Sequence, residues 1–240
     1  MVINIHEKET QAKTSSAWDD ILNFQNQLSD EEQILQSSVK SYCRDKLLPR
    51  IVSDNRNENF DRSIFTEMGK LGILGSYLNG YGCAGSNFVS YGLIAREIER
   101  IDSAYRSIMS VQTSLVMLPI YKFGSEGQKQ EYLPRLASGE LIGCFGLTEP
   151  DAGSDPSSMK TNAVKVKGGY VINGTKTWIS NAPHADVAIV WAKDESGKIK
   201  GFIIDRNSEG LSTPKIEGKL SLRASACLLY TSPSPRDFTE

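Results

Sequence analysis

Leu133-Pro134-Arg135-Leu136-Ala137-Ser138-Gly139-Glu140-Leu141-Ile142-Gly143-Cys144-Phe145-Gly146-Leu147-Thr148 is where the chain changes texture. Before Gly139, apolar residues recur every three or four positions, as they do along helices with one buried face. Gly139 closes the last of these as a C-terminal glycine does. From Leu141 the runs become short and alternating or β-branched. Strands are predicted at residues 141–147, 163–167, 170–172, 176–180, 187–192 and 199–204, with Gly168-Gly169, Asn173-Gly174 and Ser196-Gly197 as turns. The expected class is α+β: an N-terminal all-helical domain, residues 17–140, followed by an antiparallel β domain, residues 141–226.

Ser29-Asp30-Glu31-Glu32 reads as a capping box. It opens an amphipathic helix carrying Ile34, Leu35, Val39, Tyr42, Cys43 and Leu47, which Pro49 is expected to end. Asp61 opens a second helix with Ile64, Phe65, Met68 and Leu71 on one face. Residues 88–101, 103–123 and 128–136 follow as helices, with Pro119 at a bend or terminus. Residues 1–16 are polar and patternless, a flexible leader. Gly80-Tyr81-Gly82-Cys83-Ala84-Gly85 fits the dinucleotide fingerprint, but no strand precedes it, and a second helix follows the first instead of a parallel strand. It reads as a glycine-rich turn.

Lysines and arginines number 27 against 29 acids, a net charge of −2, so nothing suggests a nucleic-acid partner, which would normally need a basic surface. No apolar run approaches the roughly 18 residues of a membrane span. Cys43, Cys83, Cys144 and Cys227 show neither CxxC pairing nor metal-ligand spacing, which points to isolated thiols in a reducing compartment. Glu7, Glu9, Asp19 and Asp20, with no arginine among them, argue against a presequence. The expected location is the bacterial cytoplasm, or the mitochondrial matrix if the source is eukaryotic. After Ala226, Cys227-Leu228-Leu229-Tyr230-Thr231-Ser232-Pro233-Ser234-Pro235-Arg236-Asp237 breaks the strand pattern. It resembles the translation of an adapter used in DNA sequencing, so residues 227–240 are expected to be an artefactual tail that truncates the β domain.

Phe145-Gly146-Leu147-Thr148-Glu149-Pro150-Asp151-Ala152-Gly153-Ser154 puts a strand end into a loop rich in hydroxyls, glycines and free amides, which suits a ring system with acceptor atoms on its edge. By composition alone it is an ordinary turn. The order Thr148-Glu149-Pro150-Asp151-Ala152-Gly153-Ser154-Asp155, preceded by Leu133-Pro134-Arg135-Leu136-Ala137-Ser138-Gly139-Glu140 and followed by Lys176-Thr177-Trp178-Ile179-Ser180-Asn181, resembles the acyl-CoA dehydrogenase family signature. The resemblance runs from about Trp18 to Ala226. It implies a helical domain, a β domain and a second helical domain, missing here, around FAD and an acyl-CoA thioester.

The same resemblance assigns residues Phe145 to Ser154 to the flavin and the neighbouring acyl-CoA. Thr148 would donate to the pyrimidine side of the ring and Trp178 would pack on it, beside Ile179. Ser180, where the family commonly has threonine, would donate to N5, and Ser154 would also touch the pantetheine arm. Glu97 to Gln112, including Tyr105-Arg106-Ser107, resembles the glutaryl-CoA dehydrogenases within the family. There the arginine and serine meet the distal acyl end, which implies Arg106 and Ser107, with Glu99 close to the arginine. A terminal carboxylate buried unpaired would cost several kcal/mol, which a planar, permanently charged guanidinium offsets. The implied reaction is oxidative decarboxylation of glutaryl-CoA to crotonyl-CoA and CO2. An electron-transferring flavoprotein would be the acceptor and the enzyme a homotetramer. The general-base glutamate of the family lies in the second helical domain, so no catalytic residue is assigned here. This chain alone is expected to bind FAD weakly, if at all, and to be inactive.

Overall fold

The computed structural model describes residues 20–234, and side chains only as far as Ala226. The leader, residues 1–16, and the end of the tail, residues 235–240, lie outside the described residues. Ser29 caps α1 (Asp30–Tyr42), accepting from Glu32 N while the Glu32 carboxylate accepts from Ser29 N. Pro49 does not end this helix. A widened π turn (Cys43–Leu47) leads directly into α2 (Leu48–Asn57), where Pro49 occupies the first turn and needs no amide partner. Then come α3 (Ser63–Lys70), α4 (Phe88–Glu99) and α5 (Ser103–Ser110). A second π segment (Val111–Met117) and α6 (Leu118–Phe123) follow, again with proline in the first turn after the widening. Then α7 (Glu126–Ala137) has its own capping box of Ser125 and Gln128. Gly80, Gly82 and Gly85 all have left-handed φ in a loop between helices, as expected of a turn.

The second domain is a six-stranded sheet: β1 (Gly143–Gly146), β2 (Asn162–Val166), β3 (Gly169–Ser180), β4 (Val187–Lys193), β5 (Ile199–Asp205) and β6 (Cys227–Ser234). It is mixed, not antiparallel throughout. β1 runs parallel to β4, and β2 touches β4 in parallel register, while β2–β3, β3–β6 and β4–β5 are antiparallel. Asn173-Gly174 is not a turn: β3 passes through it in register with β2, Asn173 opposite Asn162. The strand pattern also runs past Ala226, because β6 pairs along β3 as far as Ser234 opposite Ile172. Pro233 is accommodated there on the edge of the sheet.

Arg62, at the start of α3, ties the two domains together. Its guanidinium donates to the carbonyls of Glu140 and His184, each at 2.9 Å, and to the Asp186 carboxylate. The His184 ring stacks on Phe60 with centroids 4.4 Å apart. Gln112, fully buried in the second π segment, donates to the carbonyls of Leu136 and Leu141 and accepts from Gly143 N at 2.8 Å. The bonds to Leu141 and Gly143 fix the helical domain against β1 and set the seam at which the site lies.

Candidate functional site

Between the second π segment and the ends of β1 and β3 lies a cavity of about 240 Å³, lined by Val111, Leu115, Phe145, Leu147, Thr148, Trp178, Ile179 and Ser180. The wall on the β3 side depends on a bulge. Lys176 pairs with Tyr230 and Ile179 with Leu228, so β3 carries one residue more than β6 between these pairs. Trp178 takes that slack with φ 59°, and its indole is 64% exposed although it sits within a strand. A large aromatic face held open beside a cavity is the reverse of a core tryptophan. Ile179 turns the other way, into the core of the sheet.

Thr148 and Ser180 both line this cavity, and their hydroxyls have no hydrogen-bond partner among the described residues. A planar ring with acceptor atoms along its edge fits such a wall, the indole meeting its face and the hydroxyls its edge. On the other side of Trp178 and Ser180 a second cavity, of about 570 Å³, is closed by residues 216–222 and Ser225. That segment is anchored to the helical domain: Arg223 pairs with Glu58 at 2.7 Å, and Gly218 N donates to the same carboxylate.

The loop residues expected to act together are divided by the structure. Phe145, Leu147 and Thr148 line the smaller cavity. Glu149 turns away and is buried. Its carboxylate accepts from Lys160 N at 2.6 Å, from Thr161 N at 3.0 Å and from the Thr161 hydroxyl, and it pairs with the fully buried Lys176 at 2.9 Å. Burial alone would raise its pKa. The two amides, the hydroxyl and the ammonium reverse that and hold it down at about 2. Burial lowers Lys176 from the usual lysine value, with Glu149 opposing. Pro150 and Asp151 join Glu149 along a separate polar groove with Lys160, Thr161 and residues 173–175. Ala152 is buried and bonds back to Glu149 through both backbone groups, while Gly153 and Ser154 are exposed. Gly146 is packed against Val190 and the Lys176 stem.

Arg106, Ser107 and Glu99 do not line that cavity. Arg106 Nε donates to Glu99 Oε2 at 2.6 Å, and Nη1 donates to Ser110 Oγ at 3.2 Å. Glu99 also accepts from Ser103 Oγ, and these two bonds, Ser103 first, lower its pKa. Both side chains are partly exposed, and Arg106 Nη2 has no hydrogen-bond partner among the described residues. Ser107 lies one helical turn before Val111 on the same face, so it continues the line of residues that reaches the cavity.

Sequence reasoning overlooked Val111, Gln112 and Lys176 as parts of the site. Lys176 carried a signal: it is the one charged residue in β3.

The family models "Acyl-CoA dehydrogenase, N-terminal domain" and "Acyl-CoA dehydrogenase, middle domain" match residues 29–140 and 144–231. An acyl-CoA dehydrogenase of Bacillus subtilis (strain 168) is 38% identical over 203 residues, covering 82% of this chain and 54% of the relative. The mitochondrial isovaleryl-CoA dehydrogenase of Pongo abelii is 36% identical over 209 residues, 83% and 49% of the two chains. Among solved structures, a glutaryl-CoA dehydrogenase from Mycobacterium smegmatis in complex with FADH2 superposes with a TM-score of 0.87 at 43% identity, covering 89% of this chain and 55% of that one. The chain thus spans about half the length of the relatives it matches.

Proposed function

The chain belongs to the acyl-CoA dehydrogenase family, whose N-terminal and middle domains it carries, and from that premise we propose that it binds FAD against Trp178 and serves the oxidation of glutaryl-CoA. The observation behind the flavin reading is the exposed left-handed Trp178 beside two unpartnered hydroxyls, Thr148 and Ser180, at one cavity. When bound, the flavin supplies the hydride acceptor. The chain's own residues bind and orient. Trp178 offers an apolar face, Thr148 and Ser180 offer donors, and Val111, Leu115 and Phe145 exclude water from the opposite wall.

Glu149 is no candidate for the base. Its carboxylate is engaged by four donors and stays ionised down to about 2. No residue of this chain is assigned that role. Arg106 supports the acidic substrate: Glu99 and Ser110 fix its fork and leave one prong free, on the helix that runs on to Val111. Ser107 supports it too, one turn from the cavity wall. The release of CO2 to give crotonyl-CoA, a flavoprotein electron acceptor and a tetrameric enzyme follow from the same reading.

Titrating the chain with FAD while following tryptophan emission tests the flavin site. Weak but saturable quenching is expected, and it should vanish in Trp178→Phe. Quenching that survives that substitution refutes the site. Arg106→Ala in the intact enzyme tests the substrate. Glutaryl-CoA turnover should fall by orders of magnitude while butyryl-CoA or isovaleryl-CoA turnover survives. Equal losses favour a neutral short-chain substrate, such as the relatives' names carry.

A further inference from the structure

Lys176 on β3 and Asn181 just past its end bracket the four residues that shape the β3 wall, and both are fully buried polar side chains. Each reaches across to β1 or to the loop after it. Lys176 Nζ donates to Leu147 O at 2.9 Å and to Glu149 Oε1 at 2.9 Å. Asn181 Nδ2 donates to Gly143 O at 3.2 Å, and its backbone N donates to Ala226 O at 2.8 Å. Between them Thr177 N donates to Thr148 O at 2.8 Å.

Two of the bracketed residues' neighbourhood carry left-handed backbone without being glycine: Trp178 at φ 59° and Asn181 itself at φ 69°. Such conformations persist only where the surroundings over-determine them. Asn181 Oδ1, buried and with no partner, shows that the amide is held for its donor and its backbone angle, not for complete satisfaction.

We propose that Lys176 and Asn181 are positioning residues: a two-point clamp that locks residues 177–180 to β1 and its loop. The indole of Trp178 and the hydroxyls of Thr148 and Ser180 are thereby held in one fixed arrangement before any ligand arrives. The purpose of the clamp rests on the flavin reading of the cavity. Its existence does not.

Two variants of the full 240-residue chain test it. Glu149→Gln with Lys176→Met removes both charges together, so neither is left buried alone. Asn181→Gly keeps the left-handed backbone and deletes the amide. Hydrogen–deuterium exchange by mass spectrometry should quicken about tenfold or more in peptides covering residues 145–149 and 176–181 in each variant, with peptides of α1 to α4 unchanged. FAD quenching of Trp178 should weaken about tenfold in parallel. Ile172→Val, a core trim on β3 outside the bracket, should lower the unfolding midpoint without moving flavin affinity. The clamp is overturned if both variants keep wild-type local exchange and flavin affinity, or if exchange rises evenly through the helices. Local opening in a chain whose wild type shows no saturable quenching defeats the flavin reading and leaves the clamp standing.

Discussion

Gly174 offers the sharpest test of how the site's polar side is built. The strand passes so close to Thr161 there that an added Cβ would lie 2.2 Å from Thr161 Oγ1, 2.6 Å from its Cβ and 2.7 Å from its Cγ2. Thr161 is buried and donates through both its amide and its hydroxyl to Glu149. Gly174→Ala therefore has two costs: about 1–3 kcal/mol of overpacking, and about 1.5–3 kcal/mol if the charge-assisted bond to Glu149 is displaced. The φ of Gly174 is not left-handed, so alanine returns about 0.4–1 kcal/mol by restricting the unfolded chain. A net loss of about 3 kcal/mol is expected, or a Tm lower by about 6–12 °C for a chain of this length.

Thr161→Gly removes all three colliding atoms. In that background Gly174→Ala should be neutral or slightly stabilising, giving a coupling of about 3 kcal/mol in a double-mutant cycle read from urea midpoints. Additive losses, agreeing within about 0.5 kcal/mol, would show that Thr161 is not what demands glycine here.

Other consequences are measurable in the same chain. Arg62→Ala removes three bonds, two of them between the domains, but the side chain is half exposed, so after allowing for solvent a loss of about 1–2 kcal/mol in unfolding free energy is expected. Stability should fall with acid in two stages. His184 is lowered from 6.5 by burial and then by Arg206, Lys215 and Arg62, so its contribution is whole above 6.5 and is lost as the pH drops below it. His184→Gln should flatten this upper limb of the urea midpoint against pH, and an identical slope in the variant would refute the assignment. Glu149, held at about 2, contributes fully above 4.5 and loses that contribution as the pH falls from there toward 2. Glu149→Gln with Lys176→Met should shrink the lower limb, the remainder belonging to other lowered carboxylates such as Glu99 and Asp61. Burial raises the Cys43 and Cys144 thiols to about 12, so iodoacetamide at pH 8 should leave both unlabelled until urea unfolds the chain; rapid native labelling of either would contradict their burial.

What the sequence made legible was local, and what it hid was set by distant partners. The Ser29 cap, the helical faces and the shift to strands after Gly139 follow from rules that act within a few residues, and the structure keeps them. Pro49 was misjudged because a widened π turn leaves the three-to-four spacing nearly intact, so the pattern cannot show where a helix has already made room for proline. Asn173-Gly174 has the composition of a turn, yet the glycine answers to Thr161, thirteen positions earlier and just before the neighbouring strand. Glu149 sits inside a motif whose neighbours face a cavity, but Lys176 from β3 draws it to the other side. Glu99 was placed beside Arg106 by the family resemblance and not by helical spacing, because the chain breaks between α4 and α5, and the structure pairs them. Trp178 combines both cases. The motif marked the residue, while its exposure comes from a bulge of one residue against β6, which only strand register can create. The features that orient the candidate flavin wall are thus long-range polar contacts with Lys176, Asn181 and Gln112 at their centre. A sequence shows such contacts only as polar residues in apolar company, and that pattern is where a reader of related chains should look first.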